Sequence, residues 1–190
     1  MSMSLTIDMA SLNATVKQME EGISRAVRPA AQAAAQVFYD EVCRNVDRIN
    51  SGVGKSGSNT GNLRRSIYQK YWEARSSKLV ATYRVGYNHR TAPHGFLVEF
   101  GHISRYAAYL DKRGNWKTAV RKNMRGKKRP SRKASQAVKD AYYVLRPGGP
   151  LQIAAQPFIR PAYSAKLEAA RKAAIKKFAE VLNTSSEIRQ

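Results

Sequence analysis

The chain has 190 residues, 43% hydrophobic and 25% charged, which is enough to bury a core and ordinary for a folded protein. Its 34 Lys and Arg outnumber 13 Asp and Glu, and the formal net charge of +21 indicates a polyanionic or strongly acidic partner. The single cysteine, Cys43, excludes an intramolecular disulfide and a multi-cysteine zinc site. Because the sequence has no long apolar run and no signal sequence, we expect a protein that is made in the cytosol and does not enter a membrane.

A long N-terminal helix is predicted over residues 12–49, after a short strand at residues 4–8. Apolar residues recur there at helical spacing, and Cys43 falls within that pattern as a buried thiol. Pro29 favours a kink, or two helices joined at this point. The alanine-rich stretch Ala30–Ala35 permits close approach of another helix. Because the helix has two apolar arcs, we expect it to pack against a neighbouring subunit as well as a small sheet.

The middle of the chain predicts a loop followed by a small sheet. Residues 50–61 are rich in Gly and Ser and form a flexible loop by composition. The spacing of Leu63, Ile67 and Tyr71 predicts a short helix or an irregular amphipathic segment. Strands are predicted at residues 78–87 and 96–100, joined by a turn at residues 89–93.

A basic insertion is predicted over residues 105–149. From Arg105 to Arg146 there are fourteen Lys or Arg and two acids, a net +12 that concentrates more than half of the charge of the chain. Asp111 and Asp140 are expected to form ion pairs. Tyr142 to Leu145 is predicted to return as a strand. The residues proposed to contact DNA or a protein partner are Arg121, Lys122, Arg125, Lys127, Lys128, Arg129, Arg132 and Lys133.

Two interpretations of this insertion stay open on composition alone. Aromatic residues interleave with the cations, as in proteins that stack single-stranded nucleic acid. Alternatively the cations dock on an acidic protein while the aromatics anchor the base of the segment. The aromatic residues concerned are Tyr106, Tyr109, Trp116, Tyr142 and Tyr143.

The sequence contains no convincing motif for catalysis or cofactor binding. Gly52 to Ser56 resembles a phosphate-binding loop, but Ile49 stands where that motif needs glycine, and a helix precedes it. The histidines near Glu99 lack the spacing of a zinc hydrolase. No nucleophile motif and no convincing pair of carboxylates is present. We therefore expect no enzyme activity, no metal and no cofactor.

A C-terminal helix is predicted over residues 161–183, because proline is favoured in the first helical turn and apolar residues form one stripe after it. Glu99 is predicted to pair with an arginine from another element, Arg160 being the candidate if the two segments meet. Gly101 then permits a close turn. The predicted fold class is α+β, a small antiparallel sheet packed between the two helices, within a single domain spanning residues 1–190.

Four short motifs in order resemble the tail-completion or neck (head–tail joining) proteins of long-tailed bacteriophages. After the long helix come Thr60-Gly61-Asn62-Leu63, Ala92-Pro93, Val98-Glu99-Phe100-Gly101 and Pro157-Phe158-Ile159-Arg160-Pro161-Ala162. The family pattern differs at His94-Gly95, where it has Tyr-Ala, at His102, where it has Thr, and at Ile159, where it has Leu. The motif residues are Gly61, Leu63, Pro93, Glu99, Gly101, Pro157, Phe158, Arg160 and Pro161.

The resemblance implies a structural virion protein without catalysis, located in a ring at the head–tail junction. We hypothesise a homo-oligomer, with a hexameric ring favoured, that contacts neighbouring neck, connector or tail-tube proteins, with DNA in the channel as a further candidate partner. The basic insertion is longer than the family pattern predicts, so its role is not implied. The alternative hypothesis is a basic nucleic-acid-binding protein that contacts phosphates through residues 105–146.

Overall fold

Two long helices dominate the computed structural model, which describes residues 9–52, 61–112 and 116–187. Helix α1 spans Met9–Gly52 and continues through Pro29. The last helix, α5, spans Ile159–Glu187. The two run antiparallel, since Gly22 of α1 lies against Leu182 while the Asn45 amide, near the other end of α1, donates to the carbonyl preceding α5.

Small residues form the contact between α1 and α5. Ala26, Ala30 and Ala35 of α1 and Ala162 and Ala170 of α5 are all buried. A methyl side chain lets helix backbones approach closely while it loses little conformational entropy on burial. The close approach predicted for Ala30–Ala35 is therefore observed, and the partner is α5 of the same chain.

Short antiparallel strand pairs and three short helices complete the described chain. Helix α2 (Asn62–Ser66) leads into a hairpin of β1 (Ile67–Tyr71) and β2 (Tyr83–Tyr87), which packs on α1. The remaining elements are α3 (Gly95–Phe100), β3 (His102–Ser104), β4 (Ala108–Leu110), β5 (Trp116–Thr118), α4 (Gln136–Tyr142) and β6 (Leu151–Ile153). The predicted α+β class is confirmed.

The hydrophobic core lies where α1, α2, the hairpin and the start of α5 meet. Phe158 is fully buried there and its ring lies edge-on to that of Tyr87, with centroids 5.8 Å apart. Val42, Cys43 and Val46 supply the α1 side, and Leu63 closes the core from α2. Burial raises the pKa of the Cys43 thiol, as expected for a cysteine that packs as a small hydrophobe.

The strand predicted at residues 96–100 is wrong, because this segment is helix α3. A short apolar run cannot be assigned to strand or helix by periodicity alone. In the helix, Phe96 and Phe100 lie one turn apart and their rings approach to 4.7 Å between centroids, while Glu99 is buried. The hairpin partner of β2 is consequently β1, and residues 89–93 are not a hairpin turn.

Three other predicted elements need correction. Ile67 and Tyr71 lie in β1 and only Leu63 is helical. Tyr142 ends α4 rather than beginning a strand, because Ser135 caps that helix through the Val138 amide. The strand predicted from residue 78 begins at Tyr83. The strand predicted at residues 4–8 and most of the loop at residues 50–61 lie outside the described residues.

The basic insertion is a folded β-structure. Strand β3 pairs with β6 at its base, and β4 pairs with β5 further along. Single bridges join Tyr106 to Leu145 and Val120 to Tyr143. The insertion therefore leaves the helical body through one strand and returns through the neighbouring one.

Candidate functional site

The Glu99 carboxylate binds the first backbone amides of α5. Glu99 Oε2 accepts hydrogen bonds from the N–H groups of Phe158 (2.7 Å) and Ile159 (3.0 Å), and Oε1 accepts one from Arg160 (3.2 Å). The first amides of a helix have no partner within the helix, and the partial positive charge there attracts an anion. A side chain about sixty residues earlier thus caps the C-terminal helix.

The Arg160 side chain completes this arrangement from the solvent side. Its Nε lies 3.2 Å from Glu99 Oε1, and its Nη2 donates to the Glu99 carbonyl at 2.9 Å. The predicted pairing of Glu99 with Arg160 is therefore observed. Burial alone would raise the pKa of Glu99, but the three backbone amides and Arg160 hold that pKa below its ordinary value.

Gly101 makes the turn that brings this carboxylate to α5. Its φ is 71° and its ψ is 174°, a region that only glycine adopts without strain. A Cβ atom there would lie 2.6 Å from the Ile153 carbonyl oxygen and 2.8 Å from the Ala155 nitrogen. The glycine is thus required twice, by its backbone conformation and by the close approach of the strand β6 segment.

The other motif residues surround the same junction of α1, α2 and α5. Leu63 and Phe158 lie in the core, and Gly61 has a φ of 66° at the start of α2. Pro157 precedes α5, whereas Pro161 lies in its first turn, where the missing N–H costs no helical hydrogen bond. Pro93 is exposed beside the buried Ala92. Leu63, Glu99 and Phe158 thus build the interior, whereas Pro93, Arg160 and Pro161 remain exposed.

A second buried carboxylate, which the sequence predictions did not include, joins α1 to α5. Glu41 lies 2.7 Å from Arg44 and 3.5 Å from Lys166 of α5. Burial acts to raise the pKa of Glu41, but these cations hold that pKa below its ordinary value. The helical spacing of α1 placed Glu41 beside the apolar stripe, and that position was the signal available.

The eight cations proposed as partner contacts divide into two groups. Arg121 donates from Nε to the carbonyls of Asp140 and Tyr143, and Arg129 donates to the Tyr143 hydroxyl, so both hold the insertion together. The other six are exposed and form no ion pair with the described residues: Lys122, Arg125, Lys127, Lys128, Arg132 and Lys133. Both acids of the insertion are already paired, Asp111 with Lys117 and Asp140 with Arg105.

Three of the five aromatic residues of the insertion pack against each other. The Tyr143 ring lies 5.0 Å from that of Tyr106 and 4.9 Å from that of Tyr142. The Tyr106 hydroxyl also donates to Asp140 at 2.8 Å. These rings anchor the insertion and are not free to stack on bases, whereas Tyr109 and Trp116 are exposed.

An apolar groove of about 400 Å³ runs between α1, β2 and the start of α5. The Phe38 ring stacks on that of Tyr163 at one wall, with centroids 5.5 Å apart. Tyr83 of β2 also lines the groove, and small and aliphatic side chains form the rest of the lining: Ala31, Ala34, Ala35, Val42, Ala81, Val85, Ile159 and Ala162. Its composition is that of a contact surface.

An apolar ridge projects from α3 and β3. Phe96 and Phe100 remain 59% and 52% exposed although they stack on each other, and Ile103 is 62% exposed. The Arg160 guanidinium lies 4.7 Å above the Phe100 ring, so this ridge adjoins the Glu99 cap. With Leu97, four apolar side chains are exposed here, which makes the ridge a candidate interaction surface.

A third surface, which sequence reasoning missed, is the outer face of the β1–β2 hairpin. A groove of about 630 Å³ there is lined by three cations, Arg65, Lys70 and Arg84, together with Tyr68, Trp72, Asn88 and His89. None of the Asp and Glu residues in the described part of the chain lines it. Strand alternation was the available signal, since it places Tyr68, Lys70 and Arg84 on one face of β1 and β2.

In the described part of the chain, no group of three or more His, Cys, Asp or Glu side chains is placed to hold a metal ion. The Glu99 carboxylate is occupied by the amides of α5. Within residues 9–52, 61–112 and 116–187, no helix has the length and hydropathy needed to cross a bilayer.

Comparison with known proteins gives one informative result. The family model HK97-gp10_like, described as "Bacteriophage HK97-gp10, putative tail-component", matches residues 10–101. The match begins in α1 and ends at Gly101, just under half of the chain, and the basic insertion follows it. No curated protein and no solved structure matches the sequence.

Proposed function

Because residues 10–101 carry the sequence pattern of a bacteriophage tail-component family, as the motifs predicted, we propose that this chain is a structural protein that completes the tail or joins it to the head. It acts there as a subunit of a ring at the neck of the virion. The two buried carboxylates of the chain, Glu99 and Glu41, cap or join helices. We therefore propose an architectural role for the chain, without catalysis or a cofactor.

The observation that carries the ring is the presence of two unlike apolar surfaces on one chain. The groove between α1 and α5 is concave, and the Phe96–Phe100 ridge on α3 is convex. Contact between unlike faces of identical subunits is heterologous, and it closes into a ring when the rotation permits. We propose that the ridge of one subunit enters the groove of the next, and a hexamer matches the sixfold symmetry expected of a tail tube.

The positive net charge of the chain favours acidic neighbours at the neck of the virion. Six insertion cations lack ion pairs with described residues, so the insertion presents them to a partner. Subunits of +21 repel one another in a ring unless salt or an anionic surface compensates. Connector or tail-tube proteins with acidic faces, or DNA in the channel, meet this requirement.

A charge placed on the ridge tests the ring. Phe96→Asp should prevent assembly, because burying an unpaired carboxylate in an apolar groove is costly. Ile175→Asp is the matched control, since Ile175 is 70% exposed on α5, away from ridge and groove. Mass photometry of the purified proteins at moderate salt should show rings for the parent chain and the control, and monomers for Phe96→Asp. Rings of Phe96→Asp would refute this interface.

A gene deletion tests the virion role itself. Phage lacking this protein should accumulate filled heads and separate tails, visible by electron microscopy. The parent gene and Ile175→Asp should restore joined particles, whereas Phe96→Asp should not. Normal infectious particles from the deletion would overturn the proposed function.

The second candidate is a nucleic-acid-binding protein that contacts phosphates through residues 105–146. The six unpaired insertion cations favour it. Six phosphate contacts predict that affinity for bulk DNA falls on the order of a thousandfold between about 50 and 200 mM salt. Absence of DNA binding at low salt would remove this candidate and leave the structural role intact.

A further inference from the structure

We propose that the outer face of the β1–β2 hairpin is a binding site for the phosphodiester backbone of DNA, built by Arg65, Lys70 and Arg84. The site lies outside the basic insertion, and it does not depend on the proposed ring. It consists of the residues that line the acid-free groove described above.

The outer face of the hairpin carries an unfavourable pair of like charges. Lys70 and Arg84 lie directly opposite each other in the antiparallel register, and both are exposed. Like charges at directly opposed positions destabilise a sheet. Among the described residues no carboxylate lines this groove, so the lining offers no local compensation for the repulsion. Departures of this kind from a local rule concentrate at functional sites.

Trp72 holds two arginine side chains in place. The Arg84 guanidinium lies 3.4 Å from the centroid of the Trp72 ring, and that of Arg75 lies 4.7 Å from it. A guanidinium stacked on an aromatic face loses conformational freedom but keeps its in-plane N–H donors for an anion. Arg84 is therefore oriented before any ligand arrives.

Neutral polar groups line the groove together with the cations. Asn88 and Thr91 line the groove beyond Arg84, and the Tyr68 ring covers Gly86 on the same face. Asn88 Oδ1 accepts from the Arg90 amide, so the N–H₂ of this lining residue is the part of its side chain that can donate to a ligand. Phosphate contacts in protein–DNA complexes use this mixture of Arg, Lys, Asn, Thr and Tyr groups. The mixture favours a nucleic-acid backbone over an acidic protein segment.

Trp72 also supplies the means of observation. The chain has two tryptophans, so Trp116→Phe leaves Trp72 as the single fluorophore. Titration of this variant with a short DNA duplex should change the Trp72 emission, and the midpoint of the titration gives the affinity of this groove. DNA bound only at the insertion would leave the Trp72 emission unchanged.

Charge removal then assigns the contacts. In the Trp116→Phe background, Lys70→Gln with Arg84→Gln should reduce the slope of log affinity against log salt by about 1.8, since each lost duplex contact removes about 0.9. Lys172→Gln with Lys176→Gln is the matched control, because it removes the same charge from exposed positions on α5. Thermal unfolding should show both variants folded, and the hairpin variant should lose no stability because it relieves repulsion.

Three results would overturn the proposal. The first is no Trp72 response to DNA at low salt. The second is an unchanged midpoint and salt slope in the Lys70→Gln, Arg84→Gln variant, or an equal change in the α5 control. The third is competition by polyglutamate as effective as DNA of equal charge, which would assign the groove to an acidic protein instead.

Discussion

Glu99 Oε1 and Arg160 Nε lie 3.2 Å apart, and this ion pair covers the point where the three backbone amides at the start of α5 meet the same carboxylate. The two partners are unequal. The Glu99 side chain is 4% exposed, whereas that of Arg160 is 58% exposed. The carboxylate is thus part of the interior, and the guanidinium is its solvent-side cover.

Removing the two partners should therefore have unequal effects on stability. Glu99→Ala leaves three amides without an acceptor at a buried helix start, and we expect a loss of about 3 kcal/mol in the free energy of unfolding. Arg160→Ala leaves those hydrogen bonds in place and should cost about 1 kcal/mol or less, because its side chain is largely solvated. Urea denaturation followed by circular dichroism measures both. Equal losses would show that the ion pair, not the amide cap, stabilises α5.

The depressed pKa of Glu99 and of Glu41 predicts a loss of stability in acid. A carboxyl whose pKa is lower in the folded state binds protons more tightly when unfolded. Its contribution is complete above the unfolded value of 4.5 and is lost as the pH falls through the lower folded value. The free energy of unfolding should thus be nearly constant above the unfolded value and fall at lower pH.

The variant Glu99→Gln isolates one of these groups. It should be less stable than the parent at neutral pH, yet its stability should fall less steeply in acid because Gln does not titrate. Denaturation series at several pH values measure the slope. Parallel curves for parent and variant would show that Glu99 contributes nothing to the acid loss.

The sequence predicted the two long helices and the Glu99–Arg160 pairing because each depends on a strong local pattern. Helical periodicity over several turns identifies α1 and α5, although both helices extend a few residues beyond the predicted bounds. The pairing followed from a carboxylate in an apolar motif and an arginine at a predicted helix start. That the amides of α5 are the principal partners depends on the tertiary fold, which brings segments about sixty residues apart together.

Short elements were the part that sequence patterns did not determine. Residues 96–100 form a helix because Phe96 and Phe100 stack one turn apart while Glu99 turns inward, a choice made by packing rather than propensity. The basic groove on the hairpin was likewise missed. It required the pairing of Lys70 with Arg84, and the predicted hairpin had paired β2 with the wrong segment.

Gly101 is expected to tolerate no side chain. Gly101→Ala should lower the free energy of unfolding by about 2–3 kcal/mol, because the backbone conformation is restricted to glycine and the Cβ would meet the Ile153 carbonyl. Gly61→Ala is the matched control, because Gly61 lies at the start of α2 and outside the basic insertion. Its φ is also positive, at 66°, but no described atom lies within 4 Å of the added carbon, so about 1 kcal/mol is expected. Chemical denaturation separates the steric from the conformational cost, and equal losses would contradict the close approach.

The basic insertion should lose its structure independently of the helical body. Tyr143 is its buried centre, since it contacts the rings of Tyr106 and Tyr142 and accepts a hydrogen bond from Arg129. Strands β4 and β5 pair with each other and do not pack extensively on α1 or α5. Tyr143→Ala should therefore open the insertion without unfolding the two helices. Hydrogen exchange should show faster exchange of the Ala119 and Val144 amides, which donate across the insertion, and unchanged protection in α1.

The exposed Tyr109 provides the control for that variant. Tyr109→Ala removes a ring that is 51% exposed and should leave the exchange of Ala119 and Val144 unaltered. The far-ultraviolet circular dichroism of both variants should retain the helical signal of α1 and α5. Loss of protection in α1 together with the insertion would show that the two unfold as one unit. In that case the six unpaired cations would be positioned by the whole fold rather than by the Tyr143 cluster.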